Sequence, residues 1–292
     1  MISIIITAHK EPRTIGRCIA SFLEQEIKEK YEILAVCPDR ETKKVVDMYS
    51  RNYKQVKHLQ DPGKGKPAAL NIAFKEAKGD YLVLTDGDVY VSKNSVNLLL
   101  EKLKDKIGAV SGHPVSLENK NNFYGYVSHL LTDMADKIRK KNFINNKFIV
   151  CSGYLYVIKS GILKEIPENI LSDDAYISRF IANKGYQINY AEDAFVYVKY
   201  PSNLKDWIKQ KRRSTGGYEQ LKKYFNERVM RSFTQEASGV FSIFLYPKNL
   251  KEIYWTIKLI FLRFYLWLII FNDIYIKKKR FEDTWLRIES TK

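Results

Sequence analysis

The chain has 292 residues, 45% hydrophobic and 28% charged, enough to bury a full-sized core and too apolar for wholesale disorder. Lys and Arg number 49 against 33 Asp and Glu, a formal +16 that favours an anionic partner such as nucleic acid, acidic lipid headgroups or a phosphorylated ligand, without choosing among them. Cys18, Cys37 and Cys151 are far apart and form no Cys-x-x-Cys pair, which excludes a disulfide scaffold and predicts reduced, packed thiols in a cytosolic compartment. From the N-terminus, Met1 to Thr7 is a β-branched apolar run ending at His9-Lys10-Glu11 and Pro12, the pattern of a buried parallel strand opening into a loop. No basic stretch precedes a long apolar core, so a signal peptide is not expected. Ile15, Cys18, Ile19, Phe22 and Leu23 then recur at i, i+3, i+4, i+7 and i+8, one helical stripe facing a sheet, with Pro12 suited to its start.

Tyr31 to Cys37 predicts a second strand, followed by Pro38-Asp39 and a polar helix near Glu41 to Arg51. An extended piece at Val56 to Gln60 leads into the loop Asp61-Pro62-Gly63-Lys64-Gly65-Lys66-Pro67. That loop opens a helix with Leu70, Ala73, Phe74 and Ala77 on its apolar face and Gly79 as its close. Tyr81 to Thr85 is another apolar strand, running directly into Asp86-Gly87-Asp88. Alternation of this kind predicts a parallel sheet with helices on both faces, where ligands sit beyond the carboxyl ends of the strands.

The second part is less regular. Apolar runs at Ile107 to Val110 and Phe148 to Ile158 flank a basic helical stretch with Lys137, Arg139, Lys140 and Lys141. Ser172-Asp173-Asp174 opens a helix with Ala175, Ile177, Phe180 and Ile181 inward and Gly185 as its stop. Strand-like pieces at Gln187 to Ala191 and Ala194 to Val198 precede Gln210-Lys211-Arg212-Arg213-Ser214 on a helix. From Val240 the composition turns apolar and aromatic, through Phe241 to Tyr246 and Ile253 to Phe271, closed by Lys277-Lys278-Lys279-Arg280. A bilayer span takes about 20 apolar residues, but Lys258 and Arg263 lie inside this run, and Arg at mid-bilayer costs about 3 kcal/mol. An interfacial or re-entrant helix anchored by Trp255, Trp267 and the basic tail is therefore preferred to a single span or a buried soluble helix.

Three clusters carry chemistry. Asp86 and Asp88 flank a glycine at a strand end and can hold Mg²⁺ or Mn²⁺ with few protein ligands, leaving positions for two phosphates, although a solvated Asp-Gly turn reads the same. Gly63-Lys64-Gly65-Lys66 ahead of a helix can offer N–H groups and ammonium groups to phosphate, but it lacks the Gly-Lys-Ser/Thr of a Walker loop and is also read as a solvated lysine loop. Asp173 and Asp174 either cap a helix or supply a general base for an acceptor hydroxyl. His9, His58, His113 and His129 show no metal-ligand spacing, and no hydrolase motif is present.

In order, Ser3 to Glu11, Pro38-Asp39, Gly63-Lys64-Gly65-Lys66 with Asn71, Thr85-Asp86-Gly87-Asp88, Ser172-Asp173-Asp174 and Gln210-Lys211-Arg212-Arg213 resemble the family 2 glycosyltransferases. The resemblance extends to Trp285 to Lys292. It implies a GT-A fold, a Rossmann-like and mostly parallel α/β sheet with flanking helices, here followed by a membrane-associated helical segment. The implied activity is inverting transfer from a nucleotide-diphosphate sugar, usually a UDP-sugar, to an acceptor hydroxyl. Thr7, Ala8 and Glu11 match the family's first-strand nucleotide contacts, and Asp39 the acidic residue that reads the base. Lys66 matches the basic residue near the donor, with Asn71 beside it, and Asp86 and Asp88 the acidic motif, Asp88 touching the metal. Asp174 matches the catalytic base of an acidic pair with Asp173, and Ser152 and Gly153 the acceptor side. Gln210 and Arg213 match Gln-x-x-Arg-Trp and, like Asn71, are expected to bind the nucleotide sugar, Arg213 near its diphosphate, but Ser214 replaces the tryptophan that would stack on the acceptor sugar. That departure predicts one sugar added per acceptor rather than a long polymer.

The implied organisation is residues 1–232 as the glycosyltransferase domain, with a nucleotide-sugar half at 1–112 and an acceptor half at 113–232, then a membrane-associated segment and basic tail at 233–292. The expected partners are a nucleotide-diphosphate sugar, a glycan or lipid-linked acceptor and an anionic membrane surface at its cytoplasmic face, with no nucleic acid. Two other readings stay open: a nucleotidyltransferase, although the Ala-Gly-x-Gly loop is missing, and a non-enzymatic basic membrane or nucleic-acid binder, which leaves the ordered carboxylates unexplained.

Overall fold

The computed structural model describes residues 1–225, 243–272 and 290–291. The sequence-based boundary at 232 and the basic tail at 277–280 lie outside these residues. The chain forms two compact units, one of Met1–Val115 with Asp136–Lys199, the other of Ser116–Ala135 with the described residues between Tyr200 and Thr291.

The first unit is an eight-stranded sheet with helices. In chain order it runs β1 (Ile2–Thr7), α1 (Ile15–Leu23), β2 (Tyr31–Cys37), α2 (Arg40–Asn52), β3 (Val56–Gln60), α3 (Lys66–Glu76), β4 (Tyr81–Asp86), β5 (Tyr90–Val91), α4 (Ser95–Glu101), β6 (Ile107–Ser116), the end of α5 (Phe123–Ile144), β7 (Leu155–Lys159), α6 (Asp173–Asn183) and β8 (Gln187–Val198). The strand order is β3-β2-β1-β4-β7-β6-β8-β5. β3, β2, β1 and β4 are parallel, whereas β4–β7, β7–β6 and β8–β5 pair antiparallel. The sheet is therefore mixed, and the alternating pattern of the first 86 residues describes only its parallel half.

Every residue of β1 is buried, which requires cover on both faces. On one side Ile5, Val36, Leu82 and Leu84 pack with Ala69, Leu70 and Ala73 of α3 and Ile177 and Ile181 of α6. Cys18, Ile19 and Phe22 of α1 are fully buried, and all three cysteines are free and buried. Gly79 does not close α3, which ends at Glu76 with Ala77 extended. It is needed for close approach instead: a Cβ there would overlap the Ser3 backbone, and its own N–H donates to Ser3 Oγ at 2.9 Å. Gly185 does end α6, at φ +85°. Pro12 sits in a turn ahead of α1, and Gln187 to Val198 is one strand rather than two pieces.

The second unit is helical. It contains the start of α5, α7 (Leu204–Leu221) and α8 (Leu250–Phe271). Tyr126, Val127 and Leu130 of α5, Trp207 of α7 and Leu259, Leu266 and Ile270 of α8 share its core. α8 is long and apolar enough to cross a membrane by length and composition.

Candidate active site

The register aligns the carboxyl ends of the parallel strands. Thr7 stands opposite Val36 of β2 and Asp86 of β4, so the loops after β1, β2 and β4 meet at one sheet edge. Asp39 caps α2 there: Oδ1 accepts from Thr42 N–H at 2.9 Å and Thr42 Oγ1 at 2.8 Å, and Oδ2 accepts from Lys10 N–H at 2.7 Å. Burial works against its charge, but these bonds outweigh it and hold the carboxyl below its usual range. Glu11 N–H donates to Thr42 Oγ1 at 2.8 Å, so the β1–α1 loop is fastened to α2 at two points.

The acidic turn is built against that loop. Gly87 N–H donates to Thr7 O at 2.9 Å, and a Cβ at Gly87 would stand 2.7 Å from Ala8 Cβ and 2.8 Å from Glu11 Oε2. Only glycine fits between the two carboxylates. Thr7 Oγ1 donates to Asp86 Oδ1 at 3.5 Å. Beneath it the Cys18 thiol donates to Asp86 O at 3.4 Å, and burial, then Asp88, Glu11 and Asp86, push its pKa well up, which keeps it a thiol.

Lys66 opens α3 behind Gly65, whose φ of +107° suits glycine. Its Nζ lies 2.8 Å from Asp86 Oδ1 and 3.1 Å from Asp173 Oδ2. Burial opposes the ammonium form, but Asp173 and Asp86 outweigh it and hold the pKa above the ordinary range. Asp173 Oδ2 is buried and accepts no well-aligned hydrogen bond, so its contact with Lys66 is ionic. Asp174 accepts from Gly153 N–H at 3.1 Å and Ala175 N–H at 2.8 Å. Burial and the Asp173 charge raise its pKa against the pull of Lys66, the direction that suits a base near neutral pH.

Gly153 is close to this carboxylate, since a Cβ would stand 3.1 Å from Asp174 Oδ2. The segment before it is bolted in place: Ser152 N–H donates to Ser111 Oγ at 2.9 Å, Cys151 N–H to Ser178 Oγ at 3.0 Å, and Ser178 Oγ to Asp174 O at 2.6 Å. Asn71, expected on the donor side, also has a structural role. Its amide donates to Ile166 O and accepts from Ile166 N–H, both at 2.8 Å, which braces α3 against the chain before α6. Gln210 and Arg213 lie on α7 in the second unit.

Tyr156 was not legible as a site residue, because it sits inside an apolar strand run. Its hydroxyl is fully buried with no hydrogen-bond partner, and burial, then Asp173 and Asp174, push its pKa far up. Among the described residues no group of three or more His, Cys, Asp or Glu is arranged to hold a metal ion. Asp86 and Asp88 offer hard oxygen donors, which fit a Mg²⁺ or Mn²⁺ that takes its other ligands from phosphate and water.

The model for Glycosyl transferase family 2 matches residues 3–166, more than half of the chain and the sheet from β1 to β7. The chain belongs to glycosyltransferase family 2. Among curated relatives, the poly-beta-1,6-N-acetyl-D-glucosamine synthase of Staphylococcus epidermidis is 23% identical over 233 residues, which are 77% of this chain and 56% of that protein. The chain thus spans little more than half the length of that relative. Among solved structures, a mannosyltransferase from Pyrobaculum calidifontis in complex with GDP-Man and Mn²⁺ gives a TM-score of 0.62 at 17% identity, over 97% of this chain and 82% of that one. GalNAc-T7 with UDP, GalNAc and Mn²⁺ gives 0.54 at 19% identity, over 77% and 49%. These likenesses establish the GT-A fold for this family 2 chain.

Proposed function

We propose that this protein is an inverting glycosyltransferase that moves a sugar from a nucleotide-diphosphate donor, a UDP-sugar by expectation, to an acceptor hydroxyl. The observation that carries this reading is Lys66 Nζ, held 2.8 Å from Asp86 and 3.1 Å from Asp173. It joins the acidic turn, the basic loop and the acidic start of α6 in a single constellation.

Asp174 takes the acceptor proton while the hydroxyl attacks the anomeric carbon, its carboxylate oriented by the Gly153 and Ala175 amides. Lys66 supplies fixed positive charge toward the leaving diphosphate. Asp86 and Asp88 would hold Mg²⁺ or Mn²⁺, which neutralises charge on that leaving group when bound. Thr7, Ala8, Glu11 and Asp39 line the edge proposed for the nucleoside, and Ser152 and Gly153 the acceptor side. The relatives' printed products and ligands support a nucleotide sugar and a glycan product without choosing the sugar. Ser214 in place of the stacking tryptophan favours a single addition over polymerisation. The +16 charge and the apolar α8 favour a lipid-linked acceptor at the cytoplasmic face of a membrane.

The test is a thermal-shift panel of nucleotide sugars with and without Mn²⁺, followed by transfer or donor hydrolysis with the best donor. One donor is expected to raise Tm only with the metal present. Transfer that survives Asp88→Ala unchanged would sink the metal assignment, and a panel with no stabilising nucleotide sugar would sink the transferase reading.

A further inference from the structure

One face of α8 has no part in the chemistry above. Tyr254, Ile257, Phe261, Phe264, Tyr265 and Leu268 are exposed, Phe261 at 69% and Tyr254 at 64%. At about 100° per residue these six fall in one stripe roughly a third of the helix circumference wide. The turn before α8 adds Phe244 and Leu245, both exposed. The opposite face is Thr256, Leu259, Leu266 and Ile270, buried along the length of the helix. It packs on Tyr126 and Leu130 of α5 and Trp207 of α7, and Tyr126 Oη and Thr256 Oγ1 share a hydrogen bond of 2.6 Å. Lys251 and Lys258 stand along one flank of the exposed stripe, their ammonium groups 4.7 Å from the Trp255 ring and 4.5 Å from the Phe123 ring.

We propose that this stripe is a docking surface for an anionic phospholipid bilayer, which α8 enters side-on instead of crossing. A continuous run of large apolar side chains on a surface marks an interaction site. Tyrosine rings among aliphatic and Phe side chains suit the boundary between headgroups and acyl chains. The charge balance selects the partner: a chain of +16 with lysines beside the stripe attracts acidic headgroups and repels a second copy of itself. Packing selects the orientation. The buried face of α8 is covered by protein, and α7, which covers it, carries Lys209, Lys211, Arg212 and Arg213. A spanning α8 would draw those charges into hydrocarbon, whereas a side-on helix leaves α7 in water.

The inference does not depend on transfer chemistry, and its test uses neither donor nor acceptor. The full-length protein is sedimented with phosphatidylcholine vesicles made with and without phosphatidylglycerol, and the bound fraction is washed with alkaline carbonate. Binding is expected to need phosphatidylglycerol, to be released by carbonate, and to be lost in a Phe261→Ser, Leu268→Ser variant whose circular-dichroism melt matches wild type. The Lys251→Gln, Lys258→Gln variant is expected to bind about tenfold more weakly, and it decides the matter should the serine variant fail to fold. Resistance to carbonate would mean a span, binding untouched by the lysine variant would deny the charged flank, and a dimer dissolved by the serine variant would give the stripe to a second copy. Each of these outcomes overturns the proposal.

Discussion

Gly87 is where a single methyl group decides local stability. Its Cβ would press on Ala8 and Glu11 at 2.7 and 2.8 Å, so Gly87→Ala forces the β1–α1 loop away from the acidic turn. Overpacking of this kind costs about 1–3 kcal/mol, and a urea melt of the variant is expected to show that loss together with weaker donor binding. Asp174, proposed as the base, is the residue on which rate is expected to depend. Asp174→Asn is expected to lower transfer by about 10²- to 10⁴-fold, the usual worth of a general base, while donor-induced thermal stabilisation is kept. Because burial and Asp173 raise its pKa, the acid limb of the rate profile should lie above that of an ordinary carboxylate. Activity falls as pH drops through that raised value, and the limb should vanish from the residual rate of the variant.

Elements explain why some side chains are where they are. α7 starts with Asp206 buried and tied to Ser290 N–H at 3.0 Å, Lys209 Nζ at 3.1 Å and Asn203 Nδ2 at 3.4 Å. Burial alone would raise its pKa, but the Ser290 bond and its companions bring it from 3.8 down to about 2. The folded value lies below the unfolded one, so the stabilisation is present above about pH 4. It is lost as pH falls toward 2. Asp206→Asn is therefore expected to lower Tm at pH 7, with the gap to wild type closing between pH 4 and 2 in a melting series. For α8 the element scale also decides the membrane geometry. Each charge of α7 drawn to mid-bilayer would cost about 3 kcal/mol, and the five cations on α7 therefore favour the proposed side-on arrangement.

Across the molecule, Lys66 links segments far apart in the chain. Its ion pairs bind the start of α3 to the tip of β4 and to α6, across more than 100 residues of sequence. Removing one partner of a fully buried pair costs about 3–5 kcal/mol, and partly exposed pairs less. The Lys66 side chain is 25% exposed, so Lys66→Met is expected to lose part of that range in a denaturant melt. It is also expected to lose the stabilisation by nucleotide sugar, because Asp86 and Asp173 are then left facing each other without a cation.

By itself the sequence determined the parallel half of the sheet, since runs such as Ile2 to Thr7 and Tyr31 to Cys37 carry their burial in their own composition, and the helical stripe of α1 its period. It also determined which polar clusters follow strand ends, and so where to look for Asp86, Asp88 and Lys66, and that Asp174 opens a helix. It did not show β5 and α4, which are too short for periodicity to speak, or the antiparallel pairing of β6 and β7, because strand direction is written in partners and not in local pattern. Only the tertiary structure decided that Lys66 bridges Asp86 and Asp173, that Asn71 bonds the Ile166 backbone, and that the Tyr156 hydroxyl is buried within reach of the Asp173 and Asp174 charges. The physical reason is the same in each case: these surroundings are assembled from separate segments of the chain, which only folding brings together.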